Sequence, residues 1–194
     1  GADLTIHNFD DQTIFDYAAE AAISPPSILT LGLRFLANAI LKLHSANPEA
    51  ITLDIKDIPF GKTPVAYAFE SNNAPLLEAM IKAGVRTDIP DAIGATFLLK
   101  SMGTGNTPMV DILLSDEASE AVNIANSGSI SPFIFACSKQ NIALATKIAN
   151  HPKFDLYQMG PNNQNMMQWA MVSSSLELMQ LLASKDESGL LFEH

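Results

Sequence analysis

Residues 61–68 read Gly-Lys-Thr-Pro-Val-Ala-Tyr-Ala, and they decide the fold because similar segments return along the chain. Copies begin at Gly94, Ser129 and Asn163, so successive copies lie 33, 35 and 34 residues apart. A further copy begins at Asp11, one period plus about 17 inserted residues before residue 61. Periods of roughly 20–50 residues are typical of repeat proteins. The spacing therefore predicts repeat units that start near residues 11, 61, 94, 129 and 163.

Each predicted unit contains two short helices and a return loop. A polar residue stands at each expected N-cap, and Pro follows it in two copies, Thr63-Pro64 and Ser131-Pro132. Gly84 comes shortly after one second helix, as is typical of a helix C-terminus. Because so short a helical pair cannot bury its own apolar face, we expect the units to stack on one another. The second helices are predicted over residues 75–82, 108–114, 142–149 and 176–182.

These residues resemble the ankyrin repeat, whose first helix carries Gly-x-Thr-Pro-Leu-His-x-Ala and whose second helix is leucine-rich and ends in Gly-Ala-Asp. Residues 61–64 and residues 84–88, Gly-Val-Arg-Thr-Asp, match this pattern closely. The histidine of the pattern is replaced in every copy, and the copies at 129 and 163 lack the leading glycine. The resemblance implies an all-α solenoid of about five degenerate helix–turn–helix units joined by extended return loops.

We expect residues 1–194 to form a single ankyrin-like repeat domain that carries an inserted helical segment at about 24–58. The opening Gly1-Ala2-Asp3 matches the end of a repeat, and the chain closes at Leu190–His194 without a polar cap. An uncapped solenoid end exposes core surface, so we expect a piece of a larger protein. A complete chain with atypical terminal repeats is the alternative.

The inserted segment includes the most apolar stretch, residues 23–43, which is about long enough to cross a bilayer. Arg34 near its middle would cost roughly 2.5–3.5 kcal/mol in a membrane. We therefore predict an amphipathic helix and no membrane span. Its apolar residues follow helical spacing on one face, namely Leu29, Leu33, Leu36, Ile40 and Leu43.

The charge of the chain limits its partners. Lys and Arg total 11 against 21 Asp and Glu, which gives a formal net charge of −10. So acidic a chain repels phosphate backbones, which argues against nucleic acid and favours basic or mixed-charge protein surfaces. Its single cysteine, Cys137, cannot form an internal disulfide. We therefore expect the cytoplasm or another reducing compartment.

The sequence carries no catalytic or metal-binding pattern, and we expect neither a metal nor a cofactor. Cys137 falls where the ankyrin pattern places a small buried residue, so we interpret it as core packing and not as a nucleophile. Residues 103–107 lack the Gly-Lys-Ser/Thr ending of a phosphate loop, and we interpret them as a turn between helices. The histidines are too widely separated to share a metal, and we expect surface positions for His7, His44, His151 and His194.

Methionine is concentrated near the C-terminus, where it could form either a docking surface or core packing. The helical spacing of Met167, Met171 and Leu178 favours core packing. Trp169 is expected beside them, where a buried indole N–H would need a hydrogen-bond partner.

The predicted binding site is the concave face, which the resemblance implies is made of loop tips and the exposed edge of the first helices. Exposed apolar residues in a row are typical of a binding groove. The same residues could equally pack against neighbouring tips, and the sequence leaves both interpretations open. The candidate partner-binding residues are Phe9, Asp10, Gln12, Phe60, Lys62, Glu70, Ile93, Ile130 and Lys139.

The resemblance implies a non-catalytic protein–protein interaction module whose protein partner the sequence does not identify. We expect a monomer that acts as a scaffold or targeting segment of a multidomain protein, or of a bacterial effector in a host cytosol. One alternative is a regulatory or substrate-recruiting segment of an enzyme whose catalytic domain lies outside this chain. Another is self-association through the helix at residues 29–43.

Overall fold

A computed structural model describes residues 64–70, 72–91, 93–115 and 119–192. The unit predicted to start at residue 11 and the inserted segment at about 24–58 lie outside these residues. The described chain is helical and contains no strand. The chain divides after Arg86 into two compact units.

The described helices come in pairs, as the repeat predicts. Among its described residues, the first compact unit has one pair, α1 (Pro64–Glu70) and α2 (Ala74–Lys82). The second compact unit contains three pairs: α3 (Phe97–Thr104) with α4 (Thr107–Leu114), α5 (Pro132–Ser138) with α6 (Ile142–Ala149), and α7 (Met166–Val172) with α8 (Leu176–Lys185). Short 3-10 helices occupy Glu120–Val122, Pro161–Asn163 and Leu190–Phe192. The second helices start within one residue of their predicted positions.

The same two-residue signal starts the second helix of every described pair. The first residue adopts a positive φ angle, and it is Asn72, Gly105, Gln140 or Ser174. The next residue is the N-cap, whose side-chain oxygen accepts a hydrogen bond from a backbone N–H three residues on; these caps are Asn73, Asn106, Asn141 and Ser175. Together they reverse the chain between antiparallel helices. Residues 103–107 therefore include such a turn, as predicted, and do not form a phosphate loop.

Small residues at one matched position let neighbouring first helices approach closely. Ser101, Ala136 and Ala170 occupy this position in α3, α5 and α7, and all three are fully buried. Helix α5 contacts both α3 and α7, while α6 contacts α8. Larger side chains such as Phe133 fill the space between the helices. The pairs of the second compact unit therefore stack on a shared core. Ala68 is the buried small residue of α1 in the first compact unit.

Two side chains do not lie where the sequence predicts them. Met171 was expected in the core but is 55% exposed, because α7 belongs to the last described pair and no further pair covers it. His151 was expected at the surface but is only 8% exposed, and its Nδ1 accepts a hydrogen bond from the backbone N–H of Lys153 at 3.2 Å. Met167 and Leu178 are buried, as predicted.

Among the described residues, no helix has both the length and the apolar character that a membrane span requires. The apolar stretch at residues 23–43 lies outside them.

Candidate functional site

Three loops of the second compact unit precede the first helices, and we call them the loop tips. They run from Asp91 to Ala95, from Asn126 to Ile130, and from Gly160 to Gln164. In each loop tip the first N–H donates to the carbonyl of the residue four positions on, at 3.1, 3.1 and 2.8 Å, respectively. The repeat of this hydrogen bond every 35 or 34 residues shows that the three loops are equivalent parts of successive units.

Side-chain oxygens brace the first two loop tips from inside. Asp91 Oδ1 accepts from the backbone N–H groups of Ile93 at 3.0 Å and Ala95 at 2.9 Å. Asn126 Oδ1 accepts from the N–H groups of Gly128 at 2.9 Å and Ile130 at 3.2 Å. Because one carboxylate or amide oxygen accepts from two N–H groups in each loop, it constrains the backbone at those residues.

The first two loop tips are also joined to each other. The N–H of Ser127 donates to the carbonyl of Ile93 at 3.0 Å. Gly94 has a φ of 77°, and a Cβ placed on it would lie 3.0 Å from Ser127 N. Glycine therefore suits this position, because a side chain is disfavoured at this φ and a Cβ would make a tight contact with the backbone of the neighbouring loop tip.

The structure describes four of the predicted partner-binding residues. Ile93 is 64% exposed at the first loop tip, Ile130 is half-buried at the second, and Lys139 is exposed at the end of α5. Glu70 is exposed at the end of α1 in the first compact unit. The side chain of Ile93 thus faces outward, although its carbonyl bonds the next loop tip. The remaining predicted residues lie outside the described ranges: Phe9, Asp10, Gln12, Phe60 and Lys62.

A row of side chains on the first helices was missed by the sequence reasoning. Lys100, Phe135 and Trp169 occupy one matched position of α3, α5 and α7, and each is half-buried. Lys139 Nζ lies 5.7 Å from the centre of the Phe135 ring, within the range of a cation–π contact. Each of the three residues directly precedes the small buried residue of its helix, and the three are spaced by 35 and 34 residues. This repeat spacing could have predicted the row, which we call the first-helix row.

The third loop tip is fixed in a different way. A Cβ placed on Gly160 would lie 2.7 Å from Trp169 Nε1 and would also collide with Ile134. The indole of Trp169 therefore packs directly against the backbone of Gly160. Its Nε1 is enclosed, and among the described residues it has no hydrogen-bond partner. Asn162 and Asn163 both adopt positive φ angles in this loop tip.

Charge is distributed unevenly over the second compact unit. Its loop tips and first helices, in the described ranges, carry Lys100, Lys139 and the single carboxylate Asp91. Asp91 Oδ2 pairs with Lys100 Nζ at 2.8 Å. Most of its acidic residues lie instead on the second helices and return loops, namely Asp88, Asp111, Glu120, Asp155, Glu177, Asp186 and Glu187. The net charge of the whole chain is therefore a poor guide to the loop tips and the first-helix row.

The Asp91 carboxylate has a lowered pKa. Burial alone would raise it, but hydrogen bonds from Lys100 and from the backbone N–H groups of Ala95 and Ile93 favour the charged form. The negative charge that braces the first loop tip is therefore retained at pH values where an ordinary Asp begins to take up protons.

Cys137 is fully buried on α5, as predicted, and burial raises the pKa of its thiol to about 12. A thiol with this pKa does not supply a thiolate nucleophile near neutral pH. In the part of the chain that the structure describes, no group of three or more His, Cys, Asp or Glu side chains could hold a metal ion.

No protein-family model matches the chain, and no curated protein matches it. Solved structures do match it. One is a chain in the complex of the predatory endopeptidase Bd0816 from Bdellovibrio bacteriovorus with the immunity protein Bd3460, at 19% identity and a TM-score of 0.56. That match covers 94% of this chain and 86% of the other.

Two further matches are ankyrin repeat proteins. An ankyrin repeat domain from Acinetobacter baumannii AYE is 16% identical, with a TM-score of 0.50 over 76% of this chain and 74% of the other. The ankyrin repeat protein EF0377 is 16% identical, with a TM-score of 0.51 over 77% and 79%, respectively. The predicted fold is confirmed: the chain has an ankyrin-like helical repeat fold.

Proposed function

We propose that this chain is a protein–protein interaction module without catalytic activity, and that it binds its partner through the loop tips and the first-helix row. The observation that carries the proposal is Ile93, an apolar side chain 64% exposed on a loop braced by Asp91 and bonded to Ser127. A side chain presented this way needs little further ordering when a partner covers it, so less entropy is lost on binding.

The first-helix row extends this surface beyond the loop tips. Phe135 and Trp169 are half-buried aromatic side chains, and Lys139 lies over the first of them. Aromatic residues and cations held by their neighbours are typical of the positions that dominate binding energy in protein interfaces. Since this surface carries two lysines, we propose a partner surface that is mixed in charge and not uniformly basic.

The likeness to other repeat proteins supports a protein partner. Two of the matched structures are ankyrin repeat proteins, and the third matched chain comes from a complex between two proteins. We propose that the chain serves as a scaffold or targeting segment, of a multidomain protein or a bacterial effector. The buried free thiol of Cys137 fits the reducing compartment that we propose for it.

Affinity capture from cell lysate tests the binding surface with a pair of matched variants. Ile93 and Leu176 are both 64% exposed, the first at a loop tip and the second at the start of α8. Glutamate at either position adds the same charge to a surface site, and circular dichroism checks that both variants stay folded. We expect Ile93→Glu to lose proteins that the wild type and Leu176→Glu both retain. Identical capture by all three proteins would contradict the proposed surface.

A second candidate function is regulation of an enzyme by binding it. The observation that favours it is the match, over 94% of this chain, to a chain from a structure that contains an endopeptidase and an immunity protein. If capture returns an enzyme, its rate is measured with and without the chain, and Ile93→Glu serves as the control. A changed rate that the variant fails to produce supports regulation, whereas an unchanged rate leaves the protein a scaffold.

A further inference from the structure

The third loop tip lacks the side-chain brace that holds the other two. In the first and second loop tips, Asp91 and Asn126 each supply one oxygen that accepts from two backbone N–H groups of the loop. The equivalent residue of the third loop tip is Gly160, which has no side chain. No side chain at this position can therefore hold the third loop tip from inside.

The third loop tip also cannot repeat the hydrogen bond that joins the first two. That bond runs from the N–H of Ser127 to the carbonyl of Ile93 at 3.0 Å. The residue equivalent to Ser127 is Pro161, whose ring nitrogen carries no hydrogen, so it cannot donate to Gly128, the equivalent of Ile93. The second and third loop tips are both described throughout, and no other backbone hydrogen bond joins them.

Two residues of the third loop tip adopt a backbone conformation that side chains disfavour. Asn162 and Asn163 both have a φ of 58°. Asparagine tolerates the left-handed region better than most residues, but it still costs more free energy there than glycine does. Two such residues in succession therefore lower the free energy needed to open this loop tip.

The third loop tip encloses the indole N–H of Trp169. A Cβ placed on Gly160 would lie 2.7 Å from Trp169 Nε1, so the loop backbone rests directly on this nitrogen. In the described part of the chain the Nε1–H has no acceptor. An enclosed donor forfeits the hydrogen bond that it would make to water when exposed. Opening of the loop tip restores that hydrogen bond, which again favours opening.

We propose that the third loop tip is a gate over Trp169: it opens in the free chain more readily than the other two, and the bound partner places a polypeptide carbonyl oxygen on the uncovered Nε1–H. The second half rests on the proposed function, which puts the partner on the loop tips and the first-helix row. A neutral carbonyl suits this position because a carboxylate would lose more hydration beside the indole ring and Ile134. Trp169 is then a residue that selects partners with an acceptor at this point.

Hydrogen exchange of three matched N–H groups tests the gate in the free chain. The N–H groups of Asp91, Asn126 and Gly160 make equivalent hydrogen bonds, at 3.1, 3.1 and 2.8 Å, respectively. By bond length alone, Gly160 would exchange most slowly. We expect it to exchange fastest, by about tenfold or more after correction for intrinsic rates, because its loop tip opens locally. Equal or greater protection at Gly160 would overturn the gate.

The indole N–H gives a second signal of the same opening. Trp169 is the one tryptophan of the chain, so its Nε1–H gives a single cross-peak in the nuclear magnetic resonance spectrum. We expect exchange of the Nε1–H and of the Gly160 N–H to depend equally weakly on added urea, since one local opening exposes both. Exchange of the Nε1–H only through global unfolding would contradict the proposal.

Titration calorimetry with a captured partner tests the contact with the carbonyl. Trp169→Phe keeps an aromatic ring and removes the N–H, while Phe135→Leu, at the matched position of α5, trims a similar volume and removes no donor. We expect Trp169→Phe to weaken binding by about fivefold more than Phe135→Leu does, because only it loses a hydrogen bond. In the wild-type complex the Nε1–H cross-peak should move downfield and its exchange should slow.

Equal losses for the two variants, with an unmoved Nε1–H cross-peak, would overturn the contact between the partner and Trp169. The gate is tested in the free chain, so its failure does not depend on any partner. A partner that Ile93→Glu fails to bind and that leaves the Nε1–H unchanged would support the proposed function and refute this inference. Failure of the two is therefore distinguishable.

Discussion

The first and third loop tips occupy equivalent positions in the repeat, but different interactions stabilise them. The first loop tip is held from inside by a charged oxygen of Asp91, whereas the third has Gly160 pressed against the indole of Trp169. One is stabilised by hydrogen bonds that the loop itself supplies, the other by packing against a first helix. The loop geometry is therefore the same along the repeat although the residues that stabilise it differ. We expect different substitutions to destabilise each loop tip.

The largest effect is expected at the packed loop tip. Gly160→Ala puts a methyl group into the space of Trp169 Nε1 and Ile134, so we expect a loss of about 3 kcal/mol in the free energy of unfolding. Urea unfolding followed by circular dichroism measures this loss. Gly103→Ala is the matched control, because a Cβ there meets nothing within 4 Å and lies inside α3. It should stabilise the protein by up to about 1 kcal/mol. Equal effects at both positions would contradict the packing account of the third loop tip.

For Gly94→Ala we expect a smaller loss, about 2 kcal/mol, in the free energy of unfolding. The new Cβ meets the Ser127 backbone, and the φ of 77° disfavours a side chain. The matched position in the second loop tip is Ser129, which adopts a φ of 59° without glycine. Ser129→Gly should therefore change stability by only a few tenths of a kcal/mol. The same unfolding measurement compares the two variants. A loss of stability for Ser129→Gly as large as that for Gly94→Ala would contradict the role given to the close contact between Gly94 and the Ser127 backbone.

The contribution of Asp91 to the stability of the first loop tip should depend on pH. Asp91→Ala removes the acceptor for two backbone N–H groups, with an expected loss of about 1 kcal/mol at pH 7. Asp91→Asn should lose less, because Asn126 shows that an amide oxygen can brace the equivalent loop.

The sign of this pH effect follows from the lowered pKa of Asp91. The stability it contributes is fully present above the unfolded-state value of about 3.8 and is lost as the pH falls through the lower folded-state value. The difference between wild type and Asp91→Asn should therefore shrink in acid. Unfolding curves at pH 7 and pH 3 measure it, and a difference that grows at pH 3 would contradict the assignment.

Local signals made much of the fold predictable from the sequence. The cap residues Asn73, Asn106, Asn141 and Ser175 sit beside turn residues at the repeat interval, which is why the second helices start within one residue of prediction. The buried position of Cys137 followed from the repeat pattern in the same way.

Burial that depends on neighbouring units was not predictable from local pattern. Met171 has the same helical register as Cys137, yet it is exposed because no described pair packs over it. His151 is buried by the way its return loop folds, where its ring nitrogen accepts from the chain two residues on. The bracing of the loop tips was within reach of the sequence, since Asp91 and Asn126 each precede a turn at the same point of the repeat. Only the hydrogen bonds from the backbone N–H groups show that these two side chains brace the loop tips.

The affinity of a captured partner for three forms of the chain tests the central claim, that the loop tips form the binding surface. Titration calorimetry with the wild type, Ile93→Glu and Leu176→Glu gives the three dissociation constants. We predict a loss of about tenfold or more for Ile93→Glu, because a charge replaces an exposed apolar contact, and wild-type affinity for Leu176→Glu. Unchanged affinity for Ile93→Glu, or a loss confined to Leu176→Glu, would contradict it.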